Sequence, residues 1–122
     1  MPKILLHTDV ETVGGFDHAA RTIWSIAWIL TDTKGNELER KAFLISEAMP
    51  LLAGDTFWSA RKNSMLCKCL GTYETATAGE MWEAFTEDLQ RVNDSGGYWV
   101  AFNSRFERGA FKRFPVAFNV PA

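Results

Sequence analysis

The stretch 77–94, which reads TAGEMWEAFTEDLQRVND, constrains the fold of this chain more than any other. Thr77 and Glu80 have the spacing of a helix-capping box. Apolar residues recur along one face of the helix behind that cap: Trp82, Phe85, Leu89 and Val92. The helix is predicted to end before the Gly96–Gly97 pair, and YWVAF at 98–102 reads as a short buried strand. A strand, a helical crossover and a return strand predict parallel pairing between 98–102 and the first strand.

The rest of the chain supplies an antiparallel meander and two further helix-forming regions. Three strands are predicted at its start: 3–9, which ends at the first carboxylate, 22–31 and 37–45. Asp55 is an N-cap candidate for a helix over the following residues, and a short helix over 104–114 is predicted to end ahead of Pro115. The order βββααβα predicts one mixed-sheet α/β domain over residues 1–122.

Composition and charge place the chain among ordinary globular proteins, since 47% of its residues are hydrophobic and 23% are charged. The net charge of −2 gives no broad basic field, so contact with nucleic acid would need local basic patches and metal ions. Asp9 interrupts the apolar start, which argues against a signal peptide or a membrane span and favours a cytoplasmic protein. Cys67 and Cys69 fit buried or free thiols in a reducing compartment.

Two carboxylates lie at the end of the first predicted strand. Asp9 and Glu11 are two residues apart, so their side chains are expected on the same face of the strand. Asn103 follows the strand that should run parallel to the first, and Glu107 lies one helical turn later. Ligands of open α/β sheets gather beyond the carboxyl ends of the strands. Three acids and an amide at that edge suit a hard divalent cation such as Mg²⁺ or Mn²⁺.

These segments resemble the sequence motifs of a known family. DVET at 9–12 looks like the first motif of the DEDD 3′–5′ exonucleases, the family of ribonuclease T and of the proofreading subunit of bacterial DNA polymerase III. VAFNSRFERGAF at 100–111 is similar to their second motif. The resemblance implies a ribonuclease H-like fold, here shortened at its C-terminus. It also implies a metal-dependent nuclease that removes nucleotides from the 3′ end of single-stranded DNA or RNA.

The resemblance also implies a role for each matching residue. Asp9 and Glu11, joined by Glu107 in place of the second-motif Asp, would hold two metal ions that act on the phosphodiester. Thr12 would contact the 3′-terminal nucleotide, and Asn103 would position the substrate. Phe106 would pack in the core.

The chain departs from the family pattern in its third motif, a His or Tyr followed by a final Asp. Nothing after residue 114 supplies such a pair, which leaves no evident general base. His18 is either a substitute base or an exposed loop histidine. Two functions therefore stay open: an exonuclease with an incomplete site, and a catalytically degenerate nuclease-like module that binds or inhibits a protein or nucleic acid. A second copy or a partner protein is one way to complete the site, through a free sheet edge.

Two further features have alternative interpretations. The five tryptophans form either a base-stacking platform or part of the core, and their positions on apolar faces favour the core. Four cationic residues alternate with phenylalanines near the C-terminus: Arg105, Arg108, Lys112 and Arg113. These cations form either a phosphate-facing patch or a solvated helix face.

Overall fold

The computed structural model describes residues 2–13, 22–53, 71–101 and 104–121. Its elements in chain order are β1 (Leu5–Val13), β2 (Thr22–Thr31), β3 (Glu37–Ile45), α1 (Met49–Ala53), β4 (Glu74–Ala76), α2 (Ala78–Asp94), β5 (Tyr98–Ala101) and α3 (Ser104–Ala117). A short 3-10 turn, Ser46–Ala48, precedes α1. Several predictions concern residues outside the described ranges: the helix from Asp55, and the roles of His18, Trp58, Cys67, Cys69 and Asn103.

The five strands form one mixed sheet in the order β4-β3-β2-β1-β5. β1 pairs antiparallel with β2, which pairs antiparallel with β3, as the meander predicted. β5 lies parallel to β1, with Leu5 opposite Tyr98 and Thr8 opposite Ala101. The predicted parallel return strand and the mixed-sheet α/β class are therefore confirmed.

The observed elements differ from the predicted ones in three respects. β1 continues past the carboxylates to Val13, because residues beyond Asp9 keep pairing with β2. α1 and β4 were not predicted, and β4 lies parallel to β3. α3 continues through Pro115 to Ala117. Proline lacks the N–H that would bond one turn back, but the final turn is held where the Phe118 amide donates to the Phe114 carbonyl at 3.1 Å.

The main core lies between the sheet and helices α2 and α3. Alternate residues of β1 and β2 face it in register, with Leu6 opposite Leu30 and Val10 opposite Ile26. Buried helix side chains pack on them: Met81, Phe85 and Val92 from α2, and Ala110, Phe111 and Phe114 from α3. Trp24 and Trp28 are buried as well, which confirms the core interpretation for those two tryptophans.

One buried carboxylate anchors α2 to this sheet face. Asp88 is 2% exposed and accepts hydrogen bonds from Trp28 Nε1 and Lys41 Nζ, each at 2.8 Å. Arg91 Nη1 lies 3.3 Å from its other oxygen and also pairs with Glu39. Burial alone would raise the pKa of Asp88. The hydrogen bonds from Lys41 and Trp28 and the two nearby positive charges outweigh burial and hold that pKa below its ordinary value.

The structure contains the capping box that the sequence predicts at the start of α2. Thr77 Oγ1 accepts from the Glu80 amide at 3.1 Å, and Glu80 Oε1 accepts from the Thr77 amide at 2.9 Å. Thr77→Ala removes one half of this exchange and should lower the free energy of unfolding by about 1 kcal/mol. Urea unfolding measures the change, with Thr33→Ala in the exposed β2–β3 turn as the control. Equal losses in the two variants would contradict a specific role for the cap.

Candidate active site

Asp9 and Glu11 lie on the sheet face opposite the main core. They pair regularly with β2, Asp9 opposite Ala27 and Glu11 opposite Ser25, so strand alternation places both carboxylates on one side. Asp9 is exposed, and Glu11 is half-buried. Ala27, the cross-strand neighbour of Asp9, has only a methyl group and leaves the carboxylate open to solvent. The shared face predicted from the two-residue spacing is confirmed.

A β-bulge follows directly after this pair. Glu11 lies opposite Ser25 but Thr12 lies opposite Ile23, so Trp24 is the extra residue on β2. The bulge ends the regular alternation, and Thr12 and Val13 are both buried. Thr12, which the family resemblance assigns to the terminal nucleotide, is only 6% exposed.

Glu107 lies on the other face of the sheet from Asp9 and Glu11. It contacts Thr8, the residue of β1 that precedes Asp9. It belongs to the first turn of α3 and is 5% exposed. Its Oε1 accepts a long hydrogen bond, 3.4 Å, from the hydroxyl of Thr8, the residue before Asp9. The Thr8 hydroxyl in turn accepts from Trp99 Nε1 at 2.9 Å. β1, β5 and α3 therefore meet through three side chains beside the candidate carboxylates.

The sequence pattern indicates the burial of Thr8 and Glu107 in this contact, but it does not single out Trp99. Thr8 is polar at a core-facing position between Leu6 and Val10, which indicates a buried hydrogen-bonding partner. The burial of Glu107 follows from its helical spacing with Phe111 and Phe114, which are 4% and 1% exposed. Trp99 had no local signal that set it apart from other core aromatic residues.

The described residues fit part of the predicted metal site. Asp9 and Glu11 offer oxygen ligands on one face, and Asp9 is open to solvent. This suits one hard cation that keeps several waters. Within the part of the chain that the structure describes, no three His, Cys, Asp or Glu side chains come together as ligands for one ion. Glu107 is thus not assembled with the pair, and a metal site that needs all three acids does not fit this arrangement.

Two further predicted residues, Asn103 and Phe106, have side chains that the structure does not describe. Asn103 lies outside the described residues, and for Phe106 the structure describes only the helical backbone. Arg108 and Lys112 are exposed on α3, beyond the buried stripe that contains Glu107.

No family model matches the chain, and no curated protein matches it either.

Among the helices of the described ranges, each is too short or too polar to cross a bilayer.

Proposed function

We propose that this protein is a metal-dependent 3′–5′ exonuclease with a ribonuclease H-like fold that hydrolyses single-stranded nucleic-acid ends. The observation that carries the proposal is the contact between Thr8 and Glu107, which lie 99 positions apart in the sequence. It brings Thr8, the residue before the first motif-like segment, against the second segment at the carboxyl end of β5, which pairs with the middle of β1. Active sites of open α/β sheets form at such an edge.

The three acidic residues have different roles in this proposal. Asp9 and Glu11 would hold a divalent cation at an exposed position that a nucleic-acid end can reach. When bound there, the ion would supply charge that offsets the phosphate and the two carboxylates and would help to orient the attacking water. Glu107 holds α3 against β1 through Thr8, on the sheet face opposite the two carboxylates.

One observation favours the alternative function, a nuclease-like module that binds without cleaving. Glu107 faces the core while Asp9 faces solvent, so the acids of the two motifs lie on opposite sides of the sheet. A two-metal site needs them together. In the binding module, the Asp9 face would contact a nucleic acid or a protein without performing hydrolysis.

A polarity assay tests the exonuclease. A 5′-labelled single-stranded oligonucleotide is incubated with the chain and Mn²⁺, Mg²⁺ or chelator, and the products are resolved by length. We expect a ladder that shortens from the 3′ end, requires a metal ion and is blocked by phosphorothioate linkages at that end. A matched oligonucleotide with the linkages at its 5′ end should be degraded normally. RNA of the same sequence compares the two substrate classes.

Two outcomes would reject this assignment. Cleavage of the 3′-blocked oligonucleotide at internal positions would indicate an endonuclease. The absence of any metal-dependent product, in a sample with a native near-ultraviolet circular dichroism spectrum, would favour the binding module. Gel-shift titration of the same oligonucleotide would then distinguish a nucleic-acid partner from a protein partner.

A further inference from the structure

A groove of about 850 Å³ lies between α2 and α3, on the sheet face opposite Asp9. Helix α2 contributes one wall with Trp82, Thr86 and Leu89, and α3 contributes the other with Arg108 and Lys112. None of these wall residues has a role in the proposed exonuclease activity. The groove is therefore a candidate site for a separate binding function.

The floor of the groove is a rigid aromatic cluster. Phe85 and Phe111 stack with their ring centroids 4.5 Å apart. Trp99 meets Phe111 edge to face at 4.9 Å and Phe85 at 5.7 Å. Phe85 and Phe111 are buried, whereas Trp82 and Trp99 are half-buried at the groove surface. Such a floor offers a preformed apolar surface to a flat or aliphatic group.

The charged groups that line the groove are two cations of α3. Arg108 and Lys112 are four residues apart on α3, so they project from the same helix face. Both are exposed, and within the described ranges neither forms an ion pair. Among the described residues, Trp82 Nε1 is buried and has no hydrogen-bond acceptor.

We propose that this groove binds a small amphiphilic anion, with an apolar, preferably aromatic body and one carboxylate or sulfonate group. The body lies on the Phe85–Trp99–Phe111 floor, and the anionic group lies between Arg108 and Lys112. The volume falls within the range of roughly 300–1,000 Å³ that is typical of small-molecule sites.

The distribution of charge favours a single anionic group over a nucleic-acid strand. The cations occupy only the α3 wall. On the α2 side, Glu83 is exposed beside Trp82 and Thr86 and lines the adjoining depression. A polyanion that extended across the groove would meet this carboxylate, whereas a single anionic group at the α3 wall avoids it.

Two fluorescent probes with the same aromatic skeleton test the proposal on the full chain. Anilinonaphthalene sulfonate carries one anionic group, and N-phenylnaphthylamine carries none. We expect the sulfonate to saturate at one probe per folded chain and to bind more tightly than the neutral probe. The double variant Arg108→Gln/Lys112→Gln should weaken sulfonate binding about tenfold or more and leave the neutral probe nearly unchanged. Lys34→Gln/Arg40→Gln, with the same change in net charge, is the control and should retain wild-type affinity.

Indole N–H resonances locate the probe. The Trp82 resonance, assigned with Trp82→Phe, should shift on sulfonate binding more than those of buried Trp24 and Trp28. Equal loss of sulfonate affinity in both double variants would overturn the proposed site. A Trp82 indole resonance that does not shift when the sulfonate binds would overturn it as well. Displacement of the sulfonate by a single-stranded oligonucleotide but not by dodecanoate would also overturn it, in favour of a nucleic-acid surface. None of these readouts depends on nuclease activity, so this proposal and the exonuclease can fail separately.

Discussion

Asp9→Asn is expected to lower metal-dependent cleavage of a single-stranded 3′ end about a thousandfold, which corresponds to roughly 4 kcal/mol of lost transition-state stabilisation. The amide keeps the shape of the side chain but removes the charge that binds a hard cation. Asp9 is exposed and shares its strand face with Glu11, at a spacing of about 7 Å. Losing one of two like charges should leave the free energy of unfolding unchanged or slightly higher.

The measurement is the initial rate of ladder formation at saturating Mn²⁺, together with urea unfolding of the same preparation. Asp94→Asn is the matched control, because it makes the same chemical change at an exposed carboxylate at the end of α2. Glu11→Gln should behave like Asp9→Asn. Cleavage by Asp9→Asn at the wild-type rate would show that this carboxylate does not hold the metal ion and would remove the central residue of the proposal.

The stoichiometry of Mn²⁺ separates two forms of the active site. Since Glu107 is buried on the far side of β1, we expect one tightly bound Mn²⁺ per chain, measured from the free-ion signal in electron paramagnetic resonance. Asp9→Asn should abolish that binding. Two bound ions per wild-type chain would mean that Glu107 joins the pair in the metal-bound protein.

The elements that local chemistry defines were predicted at their observed bounds. β2 and β3 occupy Thr22–Thr31 and Glu37–Ile45, since runs of strand-forming residues are separated there by turn residues. α2 begins after its capping box at Thr77. The parallel position of β5 followed from connectivity, because a helix between two strands allows them to run in the same direction.

The predictions that failed, or that did not assemble as expected, depend on distant partners. The extent of β1 is set by pairing with β2, including a bulge at Trp24 that no local signal marked. The rotation of α3 about its axis is set by Phe111 and Phe114, which carry Glu107 into the core with them. Motif resemblance located Glu107 in the chain, but the face it occupies was decided by its apolar neighbours.

Asp88→Ala is expected to lower the free energy of unfolding by about 2–4 kcal/mol, because it removes a buried carboxylate that accepts from a buried indole N–H and pairs with a half-buried ammonium. Trp28 Nε1 would lose its acceptor, and the half-buried Lys41 ammonium would lose its closest carboxylate oxygen at 2.8 Å. The loss is a large part of the roughly 5–15 kcal/mol that stabilises a typical domain. Urea unfolding followed by tryptophan fluorescence measures it.

The dependence of stability on pH separates the charge of Asp88 from its packing. Because its pKa is lower in the folded state than the ordinary value of 3.8, the unfolded chain binds this proton more readily. The stabilisation from ionised Asp88 is therefore complete above that ordinary value and is lost as the pH falls through the folded-state pKa. Asp88→Asn, which keeps the side-chain shape, should lose stability at neutral pH and show a flatter decline in acid than the wild type.

The exposed position Asp94 on the same helix supplies the comparison for both Asp88 variants. Asp94→Ala should change the free energy of unfolding by no more than about 0.5 kcal/mol, because its carboxylate is solvated and meets only Gln90 in the described structure. Equally small changes in the free energy of unfolding for Asp88→Ala and Asp94→Ala would contradict this role of Asp88. They would mean that Lys41 and Trp28 bond to water or to other groups equally well. If Asp88→Asn kept the wild-type acid profile, the acid loss would have to come from other carboxylates, such as Glu39, whose pKa is lowered by its hydrogen bonds from Arg91 and Lys41.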